Sequence, residues 1–391
     1  MFTCELTVPC HFGLEAVTKR EITDLGYEVS RVEDGRVSFI ADAEGIVRAN
    51  IGLRTADRVL ICVGDFSAVT FDELFEQTRA IPWEEYIPRN GRFWVTKVSA
   101  LKSRLMSAPD IQSVMKKAMV SRMGGHYGLT YFPEDGADYP VRVNILKDRV
   151  RVYLDTTGIP LHKRGYRKLA SKAPISETLA AALLMLTPWK SDRILVDPFC
   201  GSGTFPIEAA LMAADIAPGL ARSFTAEAWT GLIPASEWRE VREEARDAAA
   251  GRRGSMPDTD IQGYDIDPEV IKAAKANAAK AGVADLIHLQ RRDVSQLSHS
   301  GRYGFIVTNP PYGERLGEGE DLAALYRTLG ERFRGLDAWS LFVITSYTDA
   351  PKCMGLRPTR ERKVYNSMIQ TRFYQFMGPK PPRRALDHTS V

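Results

Sequence analysis

The stretch RILVDPFCGSGTF, Arg193 to Phe205, decides how the second half of the chain folds. An apolar strand ends in an acid, Asp197. Pro198, Phe199 and a turn with Gly201 and Gly203 follow, and the pattern from Thr204 onward is helical. Glycines at that point let the backbone turn tightly and approach a ligand closely. The free N–H groups of the helix start face the same space. The string is not the dinucleotide pattern G-x-G-x-x-G, and it lacks the Gly-Lys-Ser/Thr ending of a phosphate loop. An acid at the strand end disfavours a pyrophosphate and favours a cationic ligand; S-adenosylmethionine, with its sulfonium and ammonium, suits it. A bare glycine turn is the simpler alternative.

Strands and helices alternate from there, which predicts a parallel sheet. Arg193–Asp197, Ile261–Asp265, Leu286–Gln290, Gly304–Thr308 and Ser340–Thr345 are the strand candidates, and Ile369–Gly378 suits a last strand. Open α/β sheets bind ligands outside the carboxyl ends of their strands. Asp265 stands at such an end, where a carboxylate can accept both hydroxyls of a ribose, with Ile266 beside it. Asp267 precedes Pro268 and is most simply a helix N-cap. Asp293, followed by Val294, is placed to accept from an adenine amino group or to make local backbone bonds. The 64 residues from Gly201 to Asp265 exceed the simple expectation of about 20. Residues 217–254 therefore form an insertion, expected to be a solvated helical flap.

A fourth strand runs into Asn309, Pro310, Pro311 and Tyr312. The prolines stiffen the turn and remove two N–H donors. The Asn309 side-chain oxygen and the Pro310 carbonyl can then accept the protons of an exocyclic amine, while Tyr312 offers a flat face to a base. A rigid strand-end turn is the plainer reading.

The first half differs. Residues 1–90 hold 9 Lys+Arg and 16 Asp+Glu, whereas residues 91–170 hold 15 and 6, so a net −7 precedes a net +9. A basic block points to a polyanionic partner or to a solvated surface. Strand, helix and hairpin are expected over Phe2–Ile40, with a helix face at Leu14, Val17, Ile22 and Leu25. A strand over Arg92–Ala100 leads to a helix opened by Pro109, with Ile111, Val114, Met115, Ala118 and Met119 on one stripe and Gly124–Gly125 as its end. A hairpin over Tyr139–Asp155 has Lys147 and Asp148 near its tip. Lys97, Lys102, Arg104, Lys116, Lys117, Arg122, Arg164 and Arg167 are the candidate contacts to an RNA backbone.

The whole chain has 391 residues, 44% apolar and 26% charged, with a formal charge of only +3. That reads as a soluble protein of two or three domains. No apolar run is long enough for a membrane helix, and the N-terminus does not read as a signal peptide. Five irregularly spaced cysteines fit free thiols in a cytoplasmic setting. No zinc motif appears, and no metal is expected.

These residues resemble class I S-adenosylmethionine-dependent methyltransferases of the amino-methylating type. VSALKSRLMSAPDIQSVMKKAMVSRM and VRVNILKDRVRVYLDTTGIPLHKRGYR resemble a THUMP RNA-binding domain and the linker after it. APISETLAAALL, DPFCGSGTFPIEAALMAADIAPGLAR, GYDIDPEVI and TNPPYGERLG resemble the THUMP-containing guanosine N2-methyltransferases, over nearly the whole chain. The resemblance implies a ferredoxin-like piece (1–60), a THUMP domain (61–157), a linker (158–175) and a Rossmann-like α/β methyltransferase domain (176–380); the Pro-rich end of the sequence is expected to be a mobile tail (381–391). The resemblance also implies S-adenosylmethionine as cofactor, and N2-methylguanosine in RNA as product, with 23S rRNA ahead of tRNA. The sequence stops soon after the last strand, so the second methyltransferase half found in the fused bacterial enzymes is expected to be absent. Methylation of adenine N6 in DNA or of a protein glutamine, and a non-catalytic RNA-binding assembly factor, are the alternatives.

Overall fold

A computed structural model describes residues 2–167, 175–311 and 322–382. It divides into two compact units, one of residues 1–10, 15–162 and 217–247, the other of 11–14, 163–216 and 248–391.

The first unit is built on one seven-stranded sheet. Its strands are β1 (Cys4–Pro9), β2 (Val29–Glu33), β3 (Arg36–Ala41), β4 (Leu60–Ser67), β5 (Arg92–Leu101), β6 (Asp138–Leu146) and β7 (Arg149–Asp155), in the order β2-β3-β1-β4-β7-β6-β5. Only β5 and β6 pair in parallel, joined by helix α4 (Ala108–Tyr127). Helices α1 (Glu15–Asp24), α2 (Ala43–Gly52) and α3 (Phe71–Ala80) complete the unit's first part. The α4 stripe is buried at Ile111, Met115, Ala118, Met119 and Met123. Gly124 and Gly125 do not end this helix. It runs on to Gly128, which caps it at φ +64°, and Leu129 N–H donates back to the Gly124 carbonyl at 3.0 Å. A side chain at position 124 would meet the Leu129 carbonyl at 2.9 Å, so Gly124 serves the closing turn.

The insertion is not a solvated flap. Phe224, Ala226, Trp229, Ile233, Trp238 and Val241 are buried in the core of the first unit. Trp229 stacks on Tyr139 of β6 with ring centroids 4.8 Å apart, and its Nε1–H donates to the Asp138 carbonyl at 2.7 Å. The mixed charge of residues 235–255 belongs to the outer face of one helix, α7.

The second unit carries β8 (Leu195–Asp197), β9 (Ile261–Asp265), β10 (Ile287–Arg291), β11 (Phe305–Thr308), β12 (Ser340–Thr345), β13 (Arg360–Asn366) and β14 (Ile369–Phe376). Their order is β10-β9-β8-β11-β12-β14-β13. The first five are parallel to one another; β14 is antiparallel to both β12 and β13. Helices α5 (Glu177–Leu186), α6 (Thr204–Ala213), α8 (Pro268–Lys280), α9 (Leu322–Arg334) and α10 (Ala350–Met354) lie between strands. From β8 the chain steps outward through β9 to β10, then returns to the other side of β8 for β11. The switch point therefore falls between β8 and β11, where open α/β sheets place their ligands. Among the described residues no helix is long and apolar enough to cross a membrane.

Candidate active site

Four strand ends meet at one rim of the second unit's sheet. They carry Asp197 (β8), Asp265 (β9), Asp293 (after β10) and Asn309 (after β11). Parallel pairing and short strands bring these residues, spread over more than a hundred positions, to one edge.

The glycine turn is tied down by backbone bonds. Cys200 N–H donates to the Tyr264 carbonyl and Gly203 N–H to the Cys200 carbonyl, each at 2.8 Å. Gly203 has φ +87°, and a side chain there would press on Ala274 Cβ and Ile207 Cδ1 at 3.2 Å. Asn277, buried on α8, donates to the Ser202 carbonyl at 3.0 Å. Thr204 then begins α6, with no side chain capping its N-terminus. Nothing in the strand–turn–helix string signalled Asn277; only its placement on one face of α8 does.

Asp197 is buried. Its Oδ1 accepts from Thr308 Oγ1 at 2.5 Å and from Phe199 N–H at 3.1 Å. This bond joins β8 to the residue just before Asn309, a link between positions 197 and 308 that the sequence left unmarked. Burial pushes the Asp197 carboxyl up to about 7, with Asp265 adding to the rise. Asp265 accepts from Gly201 N–H (Oδ2) and Asp267 N–H (Oδ1), both at 3.1 Å. Burial raises its carboxyl too, with Asp267 contributing. Among the described residues neither acid forms an ion pair.

Asp267 is the N-cap of α8, accepting from Glu269 and Val270 N–H. Asp293 caps the short turn Val294–Gln296, with Oδ1 accepting from Ser295 N–H at 2.7 Å; the Ser295 hydroxyl first and its N–H second hold the carboxyl below the ordinary value. Local backbone bonding thus occupies one oxygen of Asp293. Ile266 is 60% exposed beside Asp265, an apolar face on an otherwise polar rim.

Two buried polar atoms here have no partner among the described residues: Asn309 Oδ1 and Ser202 Oγ. Pro310 is buried and Pro311 half-buried. Tyr312, also singled out from the sequence, lies outside the described residues.

A cationic donor with a ribose and an adenine fits this rim. Two acids without an ion pair among the described residues stand at it, and the carboxylate of Asp265 has spare lone pairs for hydroxyls. An exposed isoleucine suits a flat base, and orphaned acceptors await donors.

Several candidates for RNA contact fall elsewhere. Arg164 is buried, with Nε and Nη2 each 3.4 Å from Glu208, and Tyr166 OH donates to the same carboxylate at 3.1 Å. A guanidinium enclosed in this way cannot meet a phosphate. Arg167 donates to Thr204 Oγ1 at 2.6 Å and to the Ile175 carbonyl at 3.1 Å, so it braces the start of α6. Lys116 donates to Glu134 at 2.9 Å and lies 3.8 Å from the Phe93 ring centroid. Arg122 is forked onto Glu84. Three arginines of the basic block are paired with the acidic one: Arg122 with Glu84, Arg149 and Arg151 with Asp65, and Arg151 also with Glu33. Lys97, Lys102, Arg104 and Lys117 remain exposed, without an ion pair among the described residues. Lys147, which sequence reasoning left out, joins them: its N–H donates to the Leu101 carbonyl next to Lys102.

Comparison with known proteins identifies the family. Residues 164–375 match the family model described as "RMKL-like, methyltransferase domain". Residues 5–60 match the RlmL ferredoxin-like domain and 68–155 the THUMP domain. YpsC of Bacillus subtilis (strain 168), whose name assigns it to the RNA methyltransferases, is 44% identical over 385 residues, covering 98% of each chain. The ribosomal RNA large subunit methyltransferase K/L of Pseudomonas putida (strain GB-1) is 34% identical over 383 residues; the match covers 95% of this chain and 52% of that one, so the chain spans about half its length. A solved structure of SMU.472, named as a methyltransferase complexed with SAH, has 38% identity and a TM-score of 0.91, covering 98% of this chain and all of that one. The chain belongs to the RMKL-like methyltransferases: it is an S-adenosylmethionine-dependent RNA methyltransferase with ferredoxin-like and THUMP domains.

Proposed function

We propose that this protein methylates the exocyclic N2 amine of a guanosine in RNA, with 23S rRNA its substrate. The observation that carries this reading is Asn309, whose buried Oδ1 has no described donor and which is followed by two residues without N–H groups. A ring amine is a poor nucleophile because its lone pair is delocalised. Acceptors on both of its protons favour the pyramidal nitrogen that reacts, and Asn309 Oδ1 with the Pro310 carbonyl are the acceptors offered. S-adenosylmethionine, when bound, supplies an electrophilic methyl on a sulfonium. Asp265, Ile266, Asp293, Val294 and the turn Pro198–Thr204 are the residues that would hold it. The Asp197–Thr308 bond fixes the end of β11, and the contribution of such a site is positioning and electrostatics.

A paired base cannot reach a strand-end pocket, so the target must be unpaired or extruded. Lys97, Lys102, Arg104, Lys117 and Lys147 are the backbone contacts this reading favours, and the name of the Pseudomonas relative favours rRNA. The test is mass spectrometry of nucleosides after the full chain and S-adenosylmethionine are incubated with 23S rRNA and tRNA from cells lacking the gene. N2-methylguanosine in 23S rRNA is the expected product. The same nucleoside in tRNA alone would move the substrate to tRNA. Methyladenine in DNA or methylglutamine in protein would replace the guanine reading. Binding of RNA without any methylation would leave an assembly factor.

A further inference from the structure

The hairpin of β13 and β14 presents an exposed apolar tip at the rim that carries Asn309. Met368 is 94% exposed, and Ile369 beside it is 44% exposed. The register fixes the location. Thr308 of β11 pairs with Val343 of β12, and Thr345 of β12 pairs with Arg372 of β14. Ile369 lies three residues beyond Arg372, so the tip projects roughly 10 Å past the end of β12. It stands two strand spacings from β11, about 10 Å sideways. Side-chain alternation puts Lys363, Tyr365, Gln370 and Arg372 on one face of the hairpin, and Lys363 Nζ lies 5.3 Å from the Tyr365 ring centroid. Phe12, 48% exposed, meets Tyr365 edge to face at 6.3 Å.

The charge of the hairpin is mostly of one sign: residues 360–376 hold four Lys and Arg (360, 362, 363 and 372) against one acid, Glu361, a net +3, and Glu361 pairs with Arg372 at 2.6 Å. The two-residue loop Ser367–Met368 has a positive φ (+56°) at Ser367, a position that favours glycine. Neither loop residue is the choice that turn chemistry or solubility would make, which points to a role outside the fold. Extruding a nucleotide leaves a gap in its stack, and proteins fill such gaps with apolar wedges, methionine among them. Aromatic rings beside lysines and arginines hold a single strand by stacking and charge.

We propose that this hairpin, with Phe12, grips the RNA strand flanking the extruded nucleotide, and that Met368 fills the gap left in the base stack. The proposal rests on the RNA methyltransferase reading and adds the surface that opens the substrate.

The test replaces Met368 with the photo-crosslinker benzoylphenylalanine in the full chain, held with S-adenosylhomocysteine and 23S rRNA or tRNA. Irradiation should give RNA adducts at nucleotides neighbouring the methylated one. Met368→Ala should lose at least tenfold in kcat/KM for RNA with S-adenosylhomocysteine affinity unchanged, and Lys363→Gln should lower the salt slope of log Kd by about 0.7. No RNA adduct at position 368, or wild-type kcat/KM and salt slope in the two variants, overturns the proposal. Adducts with a product other than N2-methylguanosine sink the guanine reading and leave the hairpin's role standing; N2-methylguanosine without adducts does the reverse.

Discussion

Asn309→Ala should make the protein more stable and far less active. In the free protein the Asn309 Oδ1 is buried and accepts no bond from any described residue. Leaving a buried acceptor unmade costs about 1–3 kcal/mol. Asn309 is only half-buried as a residue, so the lower end, about 1 kcal/mol, applies. Alanine removes that cost and little packing. For a unit of about 200 residues, 1 kcal/mol moves the melting temperature by roughly 2–4 °C, here upward. Turnover should fall by about 10²–10³, the loss typical of one preorganised hydrogen-bonding group. S-adenosylhomocysteine should bind as before, because the Asp265 and glycine-turn contacts are untouched. Thermal melts with and without S-adenosylhomocysteine, together with transfer of labelled methyl to RNA, measure all three. A melting temperature that drops while turnover survives would refute both the unpaired acceptor and its role.

Three further outcomes follow from particular side chains. Asp197 titrates near 7 in the fold and near 4 when unfolded, so folding takes up a proton between those values. Its contribution to stability is fullest below about pH 4 and is lost as pH rises through about 7. Asn keeps the acceptor for Thr308, so Asp197→Asn should gain on the wild type across that window; parallel denaturation profiles at pH 5 and 8 would contradict this. Arg164→Ala should cost about 3–5 kcal/mol in chemical denaturation, by stranding the buried Glu208 charge, while the salt slope of RNA binding stays unchanged. Lys117→Gln should reduce that slope by about 0.7–0.9, whereas Lys116→Gln, already engaged with Glu134 and Phe93, should leave it alone; filter binding across salt separates the two.

Local strings pointed to the candidate rim because their chemistry is local. An acid, a glycine turn and a helix start are neighbours in sequence, and parallel pairing brings successive strand ends to one edge, so Asp197, Asp265 and Asn309 were legible one motif at a time. The cross-links were not. Thr308 on Asp197 and Asn277 on the Ser202 carbonyl join distant positions, and neither residue type marks its partner. Strand β13 escaped because RERKVYN is charged on both faces, as suits a sheet edge, and lacks the period-2 pattern of a half-buried strand. Counting charge by block overstated the number of free cations for a related reason. Arg122, Arg149 and Arg151 look like a basic surface until Glu84, Asp65 and Glu33 of the acidic block are paired with them.

The long gap after the glycine turn has its explanation in the first unit's core. Between Ile216 and Ala248 the chain contributes to the first unit before resuming the second unit's sheet. What it brings is apolar weight: two tryptophans, a phenylalanine and an isoleucine, all buried with the residues of β6 and α2. Fully burying one such side chain is worth roughly 1.5–3 kcal/mol, and a small unit's net stability is only about 5–15 kcal/mol. A first unit cut at residue 162 would expose Tyr139, on which Trp229 stacks, and leave the Asp138 carbonyl without the Trp229 donor. The unit that carries the THUMP domain therefore depends on residues that follow the glycine turn in sequence, and its fold is completed only when the start of the methyltransferase domain has been made.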